Sequence, residues 1–351
     1  MTPATVRGVA SAHRWVGLAL CLPLLAIAAS GALLLFRDAL WVPDEWRSVA
    51  WDAAAADAAL AAVLDADSRW RYVDLARPGR AFHLIGEDVA VPPRVLSIGA
   101  SSPSPLPVRL AVEQWLFQLH TRLLAGEPGK LVVRIVGPAA LASLLAGLVL
   151  WWPRRRGWRG RDLLGPGAGS RPGLLRWHLA WGGAAAVVLL PLVGSGALMA
   201  HNPAIRAWLA PLSPLPADLA ADVSSRRFAP HDLAAALAAA RATWPVGAPT
   251  QLSRPADAPG RLTVKFRLPG ERHPNGRSTL TLDLQEGRVV AARDARLGGV
   301  PAAYDDVLYG FHIGELGGPA HAWAWLAGAI GLGLLAVSGT LAWLRRRRTA
   351  T

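Results

Sequence analysis

Imidazole is a preferred side chain for holding a metal or a haem iron, and four of the chain's nine histidines stand at the ends of membrane-length apolar runs. His13-Arg14-Trp15 opens the run Val16–Phe36, and Trp177-His178 opens Leu179–Ala200. His120, in Leu119-His120-Thr121-Arg122, and His312, in Phe311-His312-Ile313-Gly314, precede the other two runs. Ionisable groups at such depths usually face a bundle interior or a functional site. Sorted by membrane level, the four make two pairs, His13 with His178 and His120 with His312. The chemistry that suits such pairs is axial ligation of haem iron between facing helices. Two haems, one near each membrane face, would carry electrons across a bilayer. His201, which closes the third run, and His321, which opens the fourth, are alternates for the outer pair. His83, His231 and His273 fall between the runs and are given no role.

Taken singly, a histidine at a helix end is more often a snorkelling anchor than a ligand. What favours ligation is recurrence, because anchoring does not demand the same residue in both halves of a chain. Small residues in the runs, Gly17, Gly31, Gly182, Gly183, Gly194, Gly196, Gly328, Gly331 and Gly333, would let a flat macrocycle or a neighbouring backbone approach. Tryptophans such as Trp151, Trp152, Trp177, Trp323 and Trp343 read as interfacial anchors.

The elements that must position these rings are four spans. Val16–Phe36, Ile135–Trp152, Leu179–Ala200 and Ala322–Leu344 contain no charge, and each comes close to the roughly 20 residues that cross a bilayer. The expected spans are 15–36, 131–152, 177–201 and 321–344. Thirteen arginines and one acid fall in the tail 1–14, the connection 153–176 and the tail 345–351, so +12 of the formal +13 lies in three short segments. The positive-inside rule puts these segments in the cytoplasm, and the basic balance then reports lipid contact rather than nucleic acid. The first run continues past Ala26-Ile27-Ala28, which makes an uncleaved anchor the expectation rather than a signal peptide. Cys21 is the one cysteine, so the chain forms no internal disulfide. There is no CxxC, CxxCH, GxGxxG or P-loop, hence no motif for covalent haem, flavin or nucleotide, and electrons would come from a quinol or another protein.

Two long segments, 37–130 and 202–320, lie between the spans. The first is expected to hold a helix over Asp52–Leu64, strands over Arg71–Ile85 and Val89–Ile98, and an amphipathic helix over 108–124. In the second, Asp232–Trp244 predicts a helix, and Arg261–Leu268, Ser278–Leu284 and Val289–Arg293 predict strands. The fold class expected is therefore membrane α-helical: a four-span bundle with two periplasmic α+β domains and an internal two-fold repeat.

The combination of His13-Arg14-Trp15 with Ser30-Gly31-Ala32-Leu33, Leu119-His120 through Gly126-Glu127-Pro128-Gly129, Trp151-Trp152-Pro153-Arg154, Trp177-His178 and Phe311-His312-Ile313-Gly314 resembles the PepSY-associated transmembrane family over nearly the whole chain. The resemblance implies a multi-pass protein of the bacterial inner membrane with both termini cytoplasmic and PepSY-like domains in the periplasm. It also implies haem b held by His13, His178, His120 and His312, and an oxidoreductase that reduces a ferric siderophore to release iron. The other readings are a membrane-anchored PepSY-like module that binds a periplasmic protein or peptide, and a metal transporter. The spans lack the intramembrane Asp or Glu that ion pathways usually show.

Overall fold

The computed structural model describes residues 2–41, 60–61, 70–75, 81–86, 93–97, 102–153, 171–213, 226–255 and 258–348. The expected helix over Asp52–Leu64 lies outside the described residues except for Leu60 and Ala61, which are helical and buried, and most of the arginine-rich connection lies outside them too. The helices in chain order are α1 (Pro3–Leu34), α2 (Arg37–Leu40), α3 (Val108–Arg122), α4 (Gly126–Trp151), α5 (Arg171–Ala200), α6 (Asn202–Leu209), α7 (Leu233–Thr243), α8 (Gly299–His312) and α9 (Gly318–Arg348). The strands are β1 (Trp70–Asp74), β2 (Ala81–Gly86), β3 (Arg94–Ser97), β4 (Ser104–Pro105), β5 (Ala248–Ser253), β6 (Arg261–Arg267), β7 (Ser278–Asp283) and β8 (Arg288–Arg293). They divide into a helical unit, 1–37, 112–202 and 311–351, and a sheet unit, 38–111 and 203–310.

Four helices in the helical unit, α1, α4, α5 and α9, are long and apolar enough to cross a membrane. Each extends beyond its apolar run. Thr2 caps α1 by accepting from Thr5 N at 3.2 Å, so the helix already includes Arg7 and His13. Hydropathy marks only the stretch that hydrocarbon will tolerate, whereas backbone hydrogen bonds carry the helix onward into the head groups. Among these four, α1 packs against α4 and α9, and α5 packs against the same two. Small residues permit the approach. A Cβ at Gly137 would stand 3.1 Å from the Cα of Ala197, and one at Gly183 would overlap the indole of Trp151. Trp151 is thus packed between helices, while Trp152 and Trp323 are exposed as interfacial anchors would be.

Sharp turns deliver α3 into α4 and α8 into α9. Leu123 and Leu124 both adopt positive φ, and a Cβ at Gly129 would collide with the carbonyl of Arg122, so this corner requires glycine. Gly314 turns the second corner at φ 78°, against the backbone of Ala322. In the first half of α3, the buried Glu113 pairs with Arg37 at 2.8 Å.

The sheet unit contains one antiparallel sheet of eight strands in the order β4-β3-β2-β1-β5-β6-β7-β8. The two segments between spans were expected to form separate domains; here both contribute to a single sheet. The joint is β5, a strand not foreseen because Pro249 interrupts its pattern. Val73 of β1 lies opposite Leu252 of β5, whose other edge pairs with β6. Strands β6 and β7 alternate buried and half-buried residues, the signature of a sheet with one face on a core. Leu262, Val264, Phe266, Leu280 and Leu282 form that face. The helix α7 covers it with Leu233, Ala236, Leu237 and Ala240, a stripe at i, i+3, i+4 and i+7. Asp232 caps α7 by accepting from Ala235 N at 2.8 Å.

Candidate functional site

The helical unit brings the four expected histidines together in two pairs. The ring of His13, on α1, faces that of His178, on α5, with centroids 6.2 Å apart and planes at 64°. His120, at the end of α3, faces His312, at the end of α8, again at 6.2 Å, with planes at 41°. Each pair therefore takes one ring from each half of the chain.

Every ring is held by its Nδ1. His13 Nδ1 donates to the carbonyl of Ser143 at 2.9 Å, and the Ser143 hydroxyl lies 3.1 Å away. His120 Nδ1 donates to the carbonyl of Ile27 at 2.9 Å, with Ser30 Oγ at 3.4 Å. His178 Nδ1 bonds Ser338 Oγ at 3.0 Å. His312 Nδ1 bonds Ser195 Oγ at 3.0 Å. A carbonyl can only accept, so the bonds of His13 and His120 require the proton on Nδ1 and leave the Nε2 lone pair available. Ser30, Ser195 and Ser338 each send their own hydroxyl hydrogen to a carbonyl of the preceding turn, which leaves the oxygen to accept from the imidazole. Fixing a ring's tautomer and orientation through its remote nitrogen is how ligating histidines are usually supported.

Beside each serine lies a glycine against which the ring rests. A Cβ would stand 2.8 Å from His120 Cε1 at Gly31, 3.0 Å from His312 Cε1 at Gly196, and 3.2 Å from His13 and His178 at Gly147 and Gly339. Three of the four supports are the dipeptide Ser-Gly: Ser30-Gly31, Ser195-Gly196 and Ser338-Gly339. The fourth is split over one helical turn as Ser143 and Gly147. The sequence marks these serines only by a Ser-Gly in each of three apolar runs, which on its own points to no ring.

One turn beyond His13 and His178, on the same helix faces, stand Gly17 and Gly182. A Cβ at Gly17 would meet nothing within 4 Å, and one at Gly182 would meet only Leu335 Cδ2, at 3.8 Å. Along α1, His13 precedes Ser30 by seventeen residues, and along α5, His178 precedes Ser195 by seventeen. At 1.5 Å per residue the two levels are separated by ~25 Å, most of the hydrocarbon thickness.

The alternates lie elsewhere. His201 uses its Nε2 on the carbonyl of Arg134 at 3.0 Å. His321 packs among Phe311 and Trp325 and accepts from Gly317 N at 3.2 Å through Nδ1. Neither makes a ring contact with another imidazole among the described residues. No group of three or more His, Cys, Asp or Glu suited to a bare metal ion occurs among the described residues. A pair of imidazoles suits an iron whose other four ligands come from a macrocycle.

The profile of the family described as PepSY-associated TM region matches residues 10–346, nearly the full chain. No curated protein matches the sequence.

Proposed function

Because the chain belongs to the PepSY-associated TM family, we propose that it is a bacterial inner-membrane electron carrier with two b-type haems, one ligated by His13 and His178 and one by His120 and His312. The observation that carries this reading is the 6.2 Å separation of both ring pairs. Two imidazoles on one metal at ~2 Å each, with ring radii of about 1 Å, place their centroids about 6 Å apart. The angle between ring planes is free, because each ring can rotate about its own bond to the metal. The Nδ1 bonds to carbonyls supply the tautomer that ligation needs, and the glycines let the rings seat close to the helices.

When bound, haem iron supplies one-electron transfer at a potential set by its axial ligands and surroundings. The chain's part is to clamp the two ligand pairs at fixed levels, exclude water with the apolar spans, and keep Nδ1 protonated. Electrons would enter from the cytoplasmic side or the quinol pool and leave to a periplasmic acceptor, with a ferric siderophore as the substrate. Reduction to the ferrous ion weakens its hold by hard oxygen ligands and so frees the iron without breaking the chelator. The sheet unit is then the periplasmic part, and the arginine-rich connection and termini are cytoplasmic, as the charge asymmetry favours.

Protein purified after haem-replete expression is expected to show a sharp reduced-haem band with two haems per chain. Replacing any one of His13, His178, His120 or His312 with Ala should remove one of the two, and dithionite-reduced protein should be reoxidised by a ferric siderophore. A colourless preparation, or full haem retention in all four variants, rejects the assignment.

A further inference from the structure

The sheet's other face carries a row of charge. Lys265 of β6 lies opposite Thr279 of β7, and Thr279 lies opposite Arg293 of β8, so the three side chains share one face across three strands. With Arg206 of α6, Arg277 at the entry to β7 and Asp305 of α8, they line a cavity of ≈ 180 Å³. Four cations thus face one carboxylate among the lining residues.

That carboxylate is already shared. Asp305 Oδ2 lies 3.2 Å from Arg277 Nε and 3.6 Å from Arg206 Nη1. Arg206 Nε is nevertheless buried without a hydrogen-bond partner, and Arg277 Nε meets Asp305 only at ion-pair distance, off the hydrogen-bond direction. Lys265 Nζ donates to the neutral Gln251 Oε1 at 2.8 Å, and the carboxylates of Asp74 and Asp305 offset only part of the effect of burial and of Arg277 on its charge. Uncompensated charge removed from water is costly unless something of opposite sign joins it. Consistent with crowding, burial and then the charge of Arg277 hold the Lys265 ammonium below its ordinary range.

The cavity wall is also built to stay in place. The buried carboxylate of Glu271 accepts from Arg277 N at 2.7 Å and from Ser278 N at 3.0 Å. Ser278 Oγ accepts from Ala295 N at 3.0 Å, tying β7 to the segment after β8. Arg277 is thereby presented from a braced corner rather than a loose loop.

We propose that this cavity binds a small multivalent oxyanion, a di- or tricarboxylate or a phosphate, whose oxygens bridge Arg206, Lys265, Arg277 and Arg293. Arginine offers two parallel donors to such a group and lysine a point charge. The site is independent of the histidine pairs and of any haem. A free anion and the phosphate monoester of a lipid present the same chemistry, and the experiment separates them.

Detergent-purified full-length protein is titrated with citrate, with inorganic phosphate and with phosphatidate micelles, each against chloride at matched ionic strength, while the thermal unfolding midpoint and the heat of binding are followed. Citrate or phosphate should raise the midpoint and bind saturably, marking a free anion; a response to phosphatidate alone marks a lipid head group. Lys265→Gln and Arg293→Gln, which remove charges outside the Asp305 ion pair, should each weaken binding at least tenfold while the unfolding transition remains cooperative. The proposal is overturned if no anion exceeds chloride on the folded protein, or if both variants bind as tightly as the parent.

Discussion

At the scale of single residues, the helical unit relies on glycine where a side chain would strike a ring. Alanine in place of a mid-helix glycine normally favours the helix by about 1 kcal/mol. Gly31→Ala should do the opposite to function, because its Cβ would sit 2.8 Å from His120 Cε1 and push that ring aside. The expected outcome is a protein of undiminished helicity that has lost half its haem, read from circular dichroism and from the haem-to-protein ratio. Unchanged haem content would mean that the contact is slack.

His273, in the sheet unit, gives a second residue-scale outcome. Burial, followed by the charges of Arg277, Lys265 and Arg267, pushes its pKa down to about 3. Its Nδ1 accepts from Asn275 N at 3.1 Å, its ring stacks on Tyr309, and Asp306 accepts from its backbone N–H at 2.8 Å. Between pH 6.5 and about 3 the unfolded chain binds a proton at this ring that the folded chain refuses, so stability falls as pH falls, by at most ~1.4 kcal/mol per unit. His273→Gln should flatten that slope in unfolding curves measured across this window. A slope identical to the parent's would assign the pH dependence to other groups.

At the scale of elements, the spans, α7 and strands β6, β7 and β8 were legible in the sequence because each follows one unbroken pattern. Hydropathy located all four spanning helices but not their ends, since a helix leaving hydrocarbon changes its solvent and not its hydrogen bonds. Strand β5 was missed because Pro249 and the polar Thr250 and Gln251 hide an alternation that only its two neighbours make favourable. The histidines were legible by type and position. Their serine supports were not, because a hydroxyl in a helix usually bonds the preceding turn and signals nothing more. The packing of α7 is directly testable. Leu237→Ala, which empties a buried position against the sheet, should cost about 3 kcal/mol in denaturant unfolding. Ala238→Ser, on the exposed side of the same turn, should change stability by less than ~0.5 kcal/mol.

At the scale of the whole molecule, the pairing of β1 with β5 unites stretches of chain separated by two spans. Neither inter-span segment supplies the sheet alone: the strands of the first would end at β1, and those of the second would expose β5. Tyr72 and Ser253 are opposite one another in this pairing. Cysteines at facing positions of antiparallel strands fall within the Cα separations that a disulfide accepts. The double variant Tyr72→Cys with Ser253→Cys should therefore crosslink under mild oxidation, seen as a shift on non-reducing gels, while each single variant stays unlinked. The only native thiol, Cys21, is buried and does not compete.

The tethering of the imidazoles has a consequence for biogenesis. His13 and His120 are moored to carbonyls and hydroxyls of α1 and α4, whereas His178 and His312 are moored to α5 and α9. A ribosome that has released only the first two membrane helices has thus made one jaw of each clasp, already aimed and with nothing to close upon. Under the proposed ligation, pigment is captured only after the last helix arrives, and it then rivets the early part of the chain to the late part at two heights.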